Sequence, residues 1–250
     1  MDFTGKVAIV TGAGQGVGKG IALALSSYNA NLVLVGRTLS KVQAVADEIN
    51  LNGGSAIAIE CDVKDVSAIQ SAIDATVKKF SSIDFLVNNA QEVPLGNLLH
   101  VDDQAFENGW MSGPLATFRF MKLCHPYLKG SGKIINLASS SSLRADSEGY
   151  GAYASVKEAT RALSRTAAVE WGPDNILVNC IMPLAKSTGM EWWMNERPDE
   201  ANAFVQTIPL GRVGDCKDDI GEAVCHLFSD GMSYITGSTI MLDGGQAFLR

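Results

Sequence analysis

The segment Val7-Ala8-Ile9-Val10-Thr11-Gly12-Ala13-Gly14-Gln15-Gly16-Val17-Gly18 decides the fold. Its first four residues are an uninterrupted apolar run closed by Thr11-Gly12. That reads as a strand buried on both faces. From Gly16 to Leu25 the apolar residues recur at helical spacing. A strand that turns through glycines into a helix leaves free backbone N–H groups at the helix start. The glycines allow backbone to approach a phosphate closely, and the positive end of the helix favours its charge. Gly12, Gln15, Gly16, Val17 and Gly18 are therefore the first candidate ligand-binding residues.

The same alternation continues along the chain. Strands are expected at Leu32–Val35, Ser55–Ile59, Asp84–Val87, Lys133–Leu137, Ile176–Ile181 and Ser238–Leu242. Helices are expected at Leu39–Ile49, Ser67–Phe80, Asp102–Leu128, Tyr153–Trp171 and Asp218–Phe228. Gly109, Gly113 and Pro114 are expected to break the third of these helices near its start. Strand and helix in regular alternation imply an α/β, doubly wound parallel sheet. No linker, repeat or low-complexity tract divides the 250 residues, so one domain, 1–250, is expected. The stretch 184–210 interrupts the rhythm and carries Met190, Trp192, Trp193, Met194 and Phe204. An insertion after a strand end reads as a lid over a bulky or apolar substrate.

Composition narrows the function. A formal charge of −7 and the lack of a Lys/Arg cluster argue against a nucleic-acid partner. No apolar run is long enough for a membrane span. The five cysteines form no Cys-x-x-Cys pair and the three histidines no ligand spacing, so neither metal nor disulfide is expected. The start shows no signal-peptide pattern, and the scattered thiols suit a reducing, cytoplasmic setting.

Tyr153-Ala154-Ser155-Val156-Lys157 holds the candidate chemistry. A tyrosine and a lysine four apart share one helix face. A free phenol titrates near ~10, and a neighbouring cation favours the phenolate, so the pair is expected to work as a proton donor or acceptor with a lowered tyrosine pKa. Tyr150, seven before Lys157, is the alternative tyrosine. In the polar loop after the fifth strand, Ser139 offers a hydroxyl to a substrate oxygen. At the end of the second strand Gly36 stands where an acid would bond the ribose of NAD, and Arg37 follows. That favours NADP(H) over NAD(H). Asp62 and Val63 suit an adenine contact. Asn89 and Ala90, after the fourth strand, lie at the same carboxyl edge.

Taken jointly, these motifs resemble the short-chain dehydrogenase/reductase superfamily from end to end. The resemblance rests on Thr11-Gly12-x-x-x-Gly16-x-Gly18, Asn88-Asn89-Ala90, Ser139, Tyr153-x-x-x-Lys157, Pro183 through Thr188 and the tail Asp243-Gly244-Gly245. It implies a Rossmann-type fold and an enzyme interconverting a carbonyl and a secondary alcohol. Tyr153 would be the acid/base. Lys157 would lower its pKa and hold the ribose, Ser139 would orient the carbonyl, and Pro183 and Thr188 would join the cofactor site. A homo-oligomer, a tetramer, is also implied, with Val156, Ala159, Leu163 and Ala167 as one candidate stripe.

Several residues depart from the family pattern. Gln91 replaces the glycine of Asn-Asn-Ala-Gly, and Leu184 replaces the glycine after Pro183. Counting back from Pro126, the family's catalytic asparagine falls on Gly113. Counting back from Tyr153 makes Ser140 the rival of Ser139. Gly113 has no side chain to place a relay water, so a slowed enzyme is expected, with Gly113→Asn raising turnover. Two alternatives follow: an enoyl reductase using Tyr150, or a cofactor-binding protein with little turnover. A lyase ranks last, because Gly12, Gly16, Gly18 and Lys157 are all kept.

Overall fold

Alternate residues of β1 (Val7–Thr11) point to opposite faces of the sheet, and both faces are buried. Ala8 and Val10 join one apolar cluster, and Val7 and Ile9 join the other. β2 (Asn31–Gly36) repeats the pattern, with Leu32 and Leu34 on the first side and Val33 and Val35 on the second. In the computed structural model, which describes residues 1–144 and 149–247, seven strands form one parallel sheet in the order β3-β2-β1-β4-β5-β6-β7. The remaining strands are β3 (Ser55–Glu60), β4 (Phe85–Asn88), β5 (Lys133–Leu137), β6 (Leu177–Pro183) and β7 (Thr239–Leu242).

Helices α1 (Gly16–Ser27), α2 (Leu39–Leu51) and α9 (Glu222–Phe228) cover one face through Ile21, Leu25, Val42, Ile49, Val224 and Phe228. Helices α3 (Val66–Phe80), α5 (Ala116–Leu128) and α6 (Gly151–Trp171) cover the other through Ile69, Ile73, Phe120, Cys124 and Ala167. This is the doubly wound Rossmann-type arrangement. The chain reverses its direction of travel across the sheet between β1 and β4, and ligands of such sheets bind in the crevice that opens there, beyond the carboxyl ends of the strands.

Two elements differ from the sequence reading. Helix α4 (Asp103–Trp110) does not break before α5, because a π turn over Met111–Leu115 carries the chain through Pro114. The wider turn accommodates a residue with no N–H to return. The last helical stretch also starts early, in a π turn over Cys216–Gly221 whose start is capped by the Asp215 carboxylate. The segment at 184–210 is itself helical, as α7 (Thr188–Glu196) and α8 (Pro198–Val205). The Trp193 and Phe204 rings meet edge to face at 5.7 Å and pin the two helices together. No helix among the described residues is long and apolar enough to cross a membrane.

Candidate active site

The crevice is tied together by one hydroxyl. Thr11, at the end of β1, is buried, and its Oγ1 accepts the backbone N–H groups of Asn89 (2.9 Å) and Ala90 (3.0 Å) beyond β4. The Asn89 carboxamide answers by donating to the carbonyls of Thr11 (2.8 Å) and Gly12 (3.1 Å). Asn89 thus braces the glycine turn, its amide committed to main chain. Gly18 packs under the same bracket: a Cβ there would lie 2.4 Å from Gly12 O and 2.5 Å from Asn89 Nδ2. Gly12 also has φ +65°, a left-handed conformation that favours glycine.

Above this turn α1 begins with Gln15 at its cap, no side-chain cap and no acid in the first turn. Its N–H groups and the positive end of its dipole therefore face the crevice unneutralised, which fits a pyrophosphate. Ser187 and Thr188, at the start of α7, close the other side: the Cβ position of Gly16 lies 3.6 Å from Ser187 Cβ and 3.8 Å from Thr188 N. Val17 packs against the core beneath. Pro183 ends β6 opposite Leu242 of β7.

Further along the edge, Arg37 is not a free charge. Its Nη1 meets Glu92 Oε1 at 2.5 Å, and Lys64 Nζ reaches the same oxygen at 3.0 Å. Lys41 stands beside the glycine turn and donates to Gln15 Oε1 at 2.8 Å. Asp62 accepts Lys64 N at 3.0 Å, and Val63 is buried. The sequence reading found Arg37 and missed Lys41, Lys64 and Glu92. The long side chains of Lys41 and Lys64 start from helix and loop positions where charge is ordinary surface, and only the fold brings Lys41 to Gln15 and Lys64 to Glu92.

The second half of the site lies between β5 and α6. Tyr153, Lys157, Thr160 and Ser164 recur at helical spacing on the sheet-facing side of α6. Ser164 Oγ accepts from Asn136 Nδ2 at 2.8 Å, and Asn136 Oδ1 accepts from Asn88 Nδ2 at 2.8 Å, so a buried polar chain links α6, β5 and β4. Lys157 is buried, and its Nζ donates to Leu137 O at 2.8 Å and stands 5.6 Å from the centre of the Tyr153 ring. The Ser139 hydroxyl hydrogen-bonds the Tyr153 phenol and accepts Ser141 N at 3.2 Å. Tyr150 lies just before α6, its ring edge to face with Tyr153 at 6.3 Å.

The titration of this pair departs from expectation. Burial pushes the Tyr153 phenol up to about 12, with the Ser139 bond pulling the other way and Tyr150 adding to the rise. Burial also pushes Lys157 itself down to about 8. The cation faces the Leu137 carbonyl and the tyrosine ring, and desolvation outweighs its attraction for a phenolate.

Gly113 also departs from expectation. The room for a side chain there is taken: a Cβ at Gly113 would lie 2.3 Å from Gln91 Oε1 and 2.7 Å from Val156 Cγ1. A lone Gly113→Asn change therefore requires the Gln91 carboxamide or the Val156 side chain to shift. A cavity of about 560 Å³ lies elsewhere on this edge, lined by Leu184, Leu210, Arg212, Asp219, Leu242 and Asp243, away from Tyr153.

Residues 12–247 match a family model described as enoyl-(acyl carrier protein) reductase. A 12alpha-hydroxysteroid dehydrogenase of Clostridium sp. is 38% identical over 252 residues, covering 97% of each chain. A dehydrogenase/reductase SDR family member 4 of Caenorhabditis elegans is 35% identical and covers 97% of this chain and 95% of its own. A solved structure of a 7 alpha-hydroxysteroid dehydrogenase, complexed with NADH and 7-oxo glycochenodeoxycholic acid, superposes with a TM-score of 0.93 at 28% identity, over 98% of this chain and 96% of that one.

The bracket at Thr11 gives a direct test. Thr11→Val keeps the shape and removes the acceptor of two N–H groups. It is expected to lower stability by about 2 kcal/mol in denaturant unfolding and to weaken dinucleotide binding, since the loop loses its anchor.

Proposed function

The chain belongs to the short-chain dehydrogenase/reductase superfamily and is an oxidoreductase, and on that premise we propose that it interconverts a carbonyl and a secondary alcohol with NADP(H), Tyr153 exchanging the proton. The convergence of Ser139, Tyr153 and Lys157 at the carboxyl edge of β5, beside the glycine turn, carries this reading. When bound, the nicotinamide supplies or takes up the hydride at the carbonyl carbon. The protein's own part is to hold a donor where negative charge develops on oxygen. A phenol pushed up to about 12 keeps its proton through the working pH range, which suits donation to a carbonyl oxygen. Ser139, already bonded to the phenol, orients the same oxygen, and Lys157 holds the ribose and exchanges protons with Tyr153.

Tyr153 is preferred to Tyr150 because Ser139 bonds Tyr153, and the enoyl-reductase reading that would use Tyr150 has no such partner. For the cofactor, Arg37 and Lys64 meet on Glu92 beyond the end of β2, where no acid follows the strand. This pair of cations suits a 2′-phosphate, which would compete with Glu92 for Arg37. The substrate is proposed to be a bulky alicyclic ketone or alcohol of the hydroxysteroid kind. The aromatic lid α7–α8 and the similarity to hydroxysteroid dehydrogenases support that class. A cytoplasmic homotetramer completes the reading. Val156 and Ala167 of the stripe are buried within the subunit, which leaves Phe118 of α5 and Val169 of α6 exposed for a partner copy.

Tyr153→Phe is expected to lower carbonyl reduction by about two orders of magnitude or more, with NADPH binding little changed. A screen of ketones, aldehydes and enones that shows activity lost in Tyr150→Phe and kept in Tyr153→Phe would reverse the assignment. The pH dependence has a definite sign. Alcohol oxidation needs the phenolate, so its rate is expected to keep rising with pH through the alkaline range towards about pH 12, with no plateau near neutrality, whereas carbonyl reduction does not rise with it.

Cofactor choice is tested at the Glu92 pair. Fluorescence titration is expected to show tighter binding of NADPH than of NADH, roughly tenfold weaker NADPH binding in Arg37→Ala, and tighter NADPH binding in Glu92→Gln. NADH binding as tight as NADPH in the native protein would contradict the preference.

A further inference from the structure

Gln91 stands where the chain leaves β4 for α4, and its carboxamide is held in one orientation. Nε2 donates to Glu92 O at 2.6 Å and to Gly109 O at 2.9 Å. Two carbonyl acceptors on one side fix which end of the amide is nitrogen. In the five-residue register of a π turn, the carbonyl opposite Pro114 is that of Gly109, and proline has no N–H to give it. Gln91 supplies that donor. The same side chain thus fills the space beside Gly113 and satisfies the turn that Pro114 leaves short.

Its other end is left over. Gln91 Oε1 is buried and receives no hydrogen bond from any group among the described residues. It points at Gly113 and lies against the part of α6 that carries Val156, the residue before Lys157. Ser112, which accepts Glu92 N at 2.9 Å and donates to Asn108 O at 2.7 Å, locks the neighbouring backbone, so the carboxamide cannot swing away freely. A buried amide oxygen with two lone pairs and no protein donor is a water-binding group. Ammonium Nζ of Lys157 has three donor protons, of which Leu137 O takes one.

We propose that Gln91 is a positioning residue for proton transfer: its carboxamide oxygen, with the carbonyls of the π turn, holds a water that returns protons to Lys157 after Tyr153 has donated its own. Gln91, Gly113 and Pro114 then work as one unit, the glycine making room for a carboxamide that reaches in from the neighbouring strand end. The inference rests on the reading of Tyr153 as the proton donor.

The test uses Gln91→Met, which keeps the side chain's length and removes both polar atoms, and the exchanged pair Gln91→Gly with Gly113→Asn, which moves the carboxamide to the other backbone position. Dehydrocholic acid, a tri-keto bile acid, serves as the carbonyl probe with NADPH. In Gln91→Met, kcat is expected to fall about tenfold or more with KM changed by less than about threefold, and the exchanged pair recovers most of the loss. The pH profile of kcat in Gln91→Met is expected to steepen on its alkaline side, where Lys157 lacks a source of protons. Native kcat and pH profile in Gln91→Met, beside an inactive Tyr153→Phe, would overturn the role of Gln91 alone. Activity kept in Tyr153→Phe would overturn the underlying reading. The pairing is also read without any substrate. Thermal unfolding is expected to show Gly113→Asn destabilised and rescued by adding Gln91→Gly; strictly additive effects of the two changes would contradict the unit.

Discussion

A lysine ammonium cannot leave water without a partner, and the placement of Lys157 follows from that constraint. Its Nζ reaches Leu137 O, at the last residue of β5, from a helix that packs across β5 and β6. The bond fixes the height of α6 along the strand and so fixes Tyr153, one turn earlier, at the sheet's carboxyl edge. Asn136, Ser164 and Asn88 extend the constraint into a buried polar chain that runs from Asn88 Nδ2 through Asn136 and Ser164 to Thr160 O. Such chains are costly when incomplete and rigid when complete. Here rigidity serves the site: the phenol and the ammonium are carried by α6 against the sheet, and the Ser139 hydroxyl follows two residues beyond the end of β5.

The other half of the edge is organised by neutral groups. Thr11 and Asn89 bracket the glycine turn, so the uncapped start of α1 is presented to the crevice in a fixed attitude. Charge enters at the rim, where Arg37 and Lys64 share Glu92, and through Lys41 beside the glycine turn. The division is physically sensible. On the proposed reading, a pyrophosphate would be met by backbone dipoles that cannot move, and the group that distinguishes one dinucleotide from another by side chains that can exchange partners.

The alternation of strands and helices and the burial of β1 were legible because apolar runs and glycine turns are local signals. Tyr153 and Lys157 were legible because four residues on a helix are neighbours whatever surrounds them. Spacing could not show the environment. It suggested that Lys157 lowers the Tyr153 pKa, yet burial from β5, β6 and the neighbouring loop raises one and lowers the other. It also marked Gly113 as a loss, because Gln91 is 22 positions away in sequence and only the fold places its carboxamide in that space. Pro114 suggested a broken helix, and a π turn keeps the chain helical instead. A local rule is overridden at this point by a side chain from another element.

The account turns on Tyr153 being a neutral phenol, held protonated by burial beside a cation that does not neutralise it. The direct measurement is a pH titration of the protein carrying ring-labelled tyrosine, followed by NMR, with the Tyr153 signal assigned by its loss in Tyr153→Phe. The account predicts a Tyr153 signal that holds its protonated shift to above about pH 11. A Tyr153 signal that titrates near neutrality would contradict it and would show that Lys157, not burial, governs the proton.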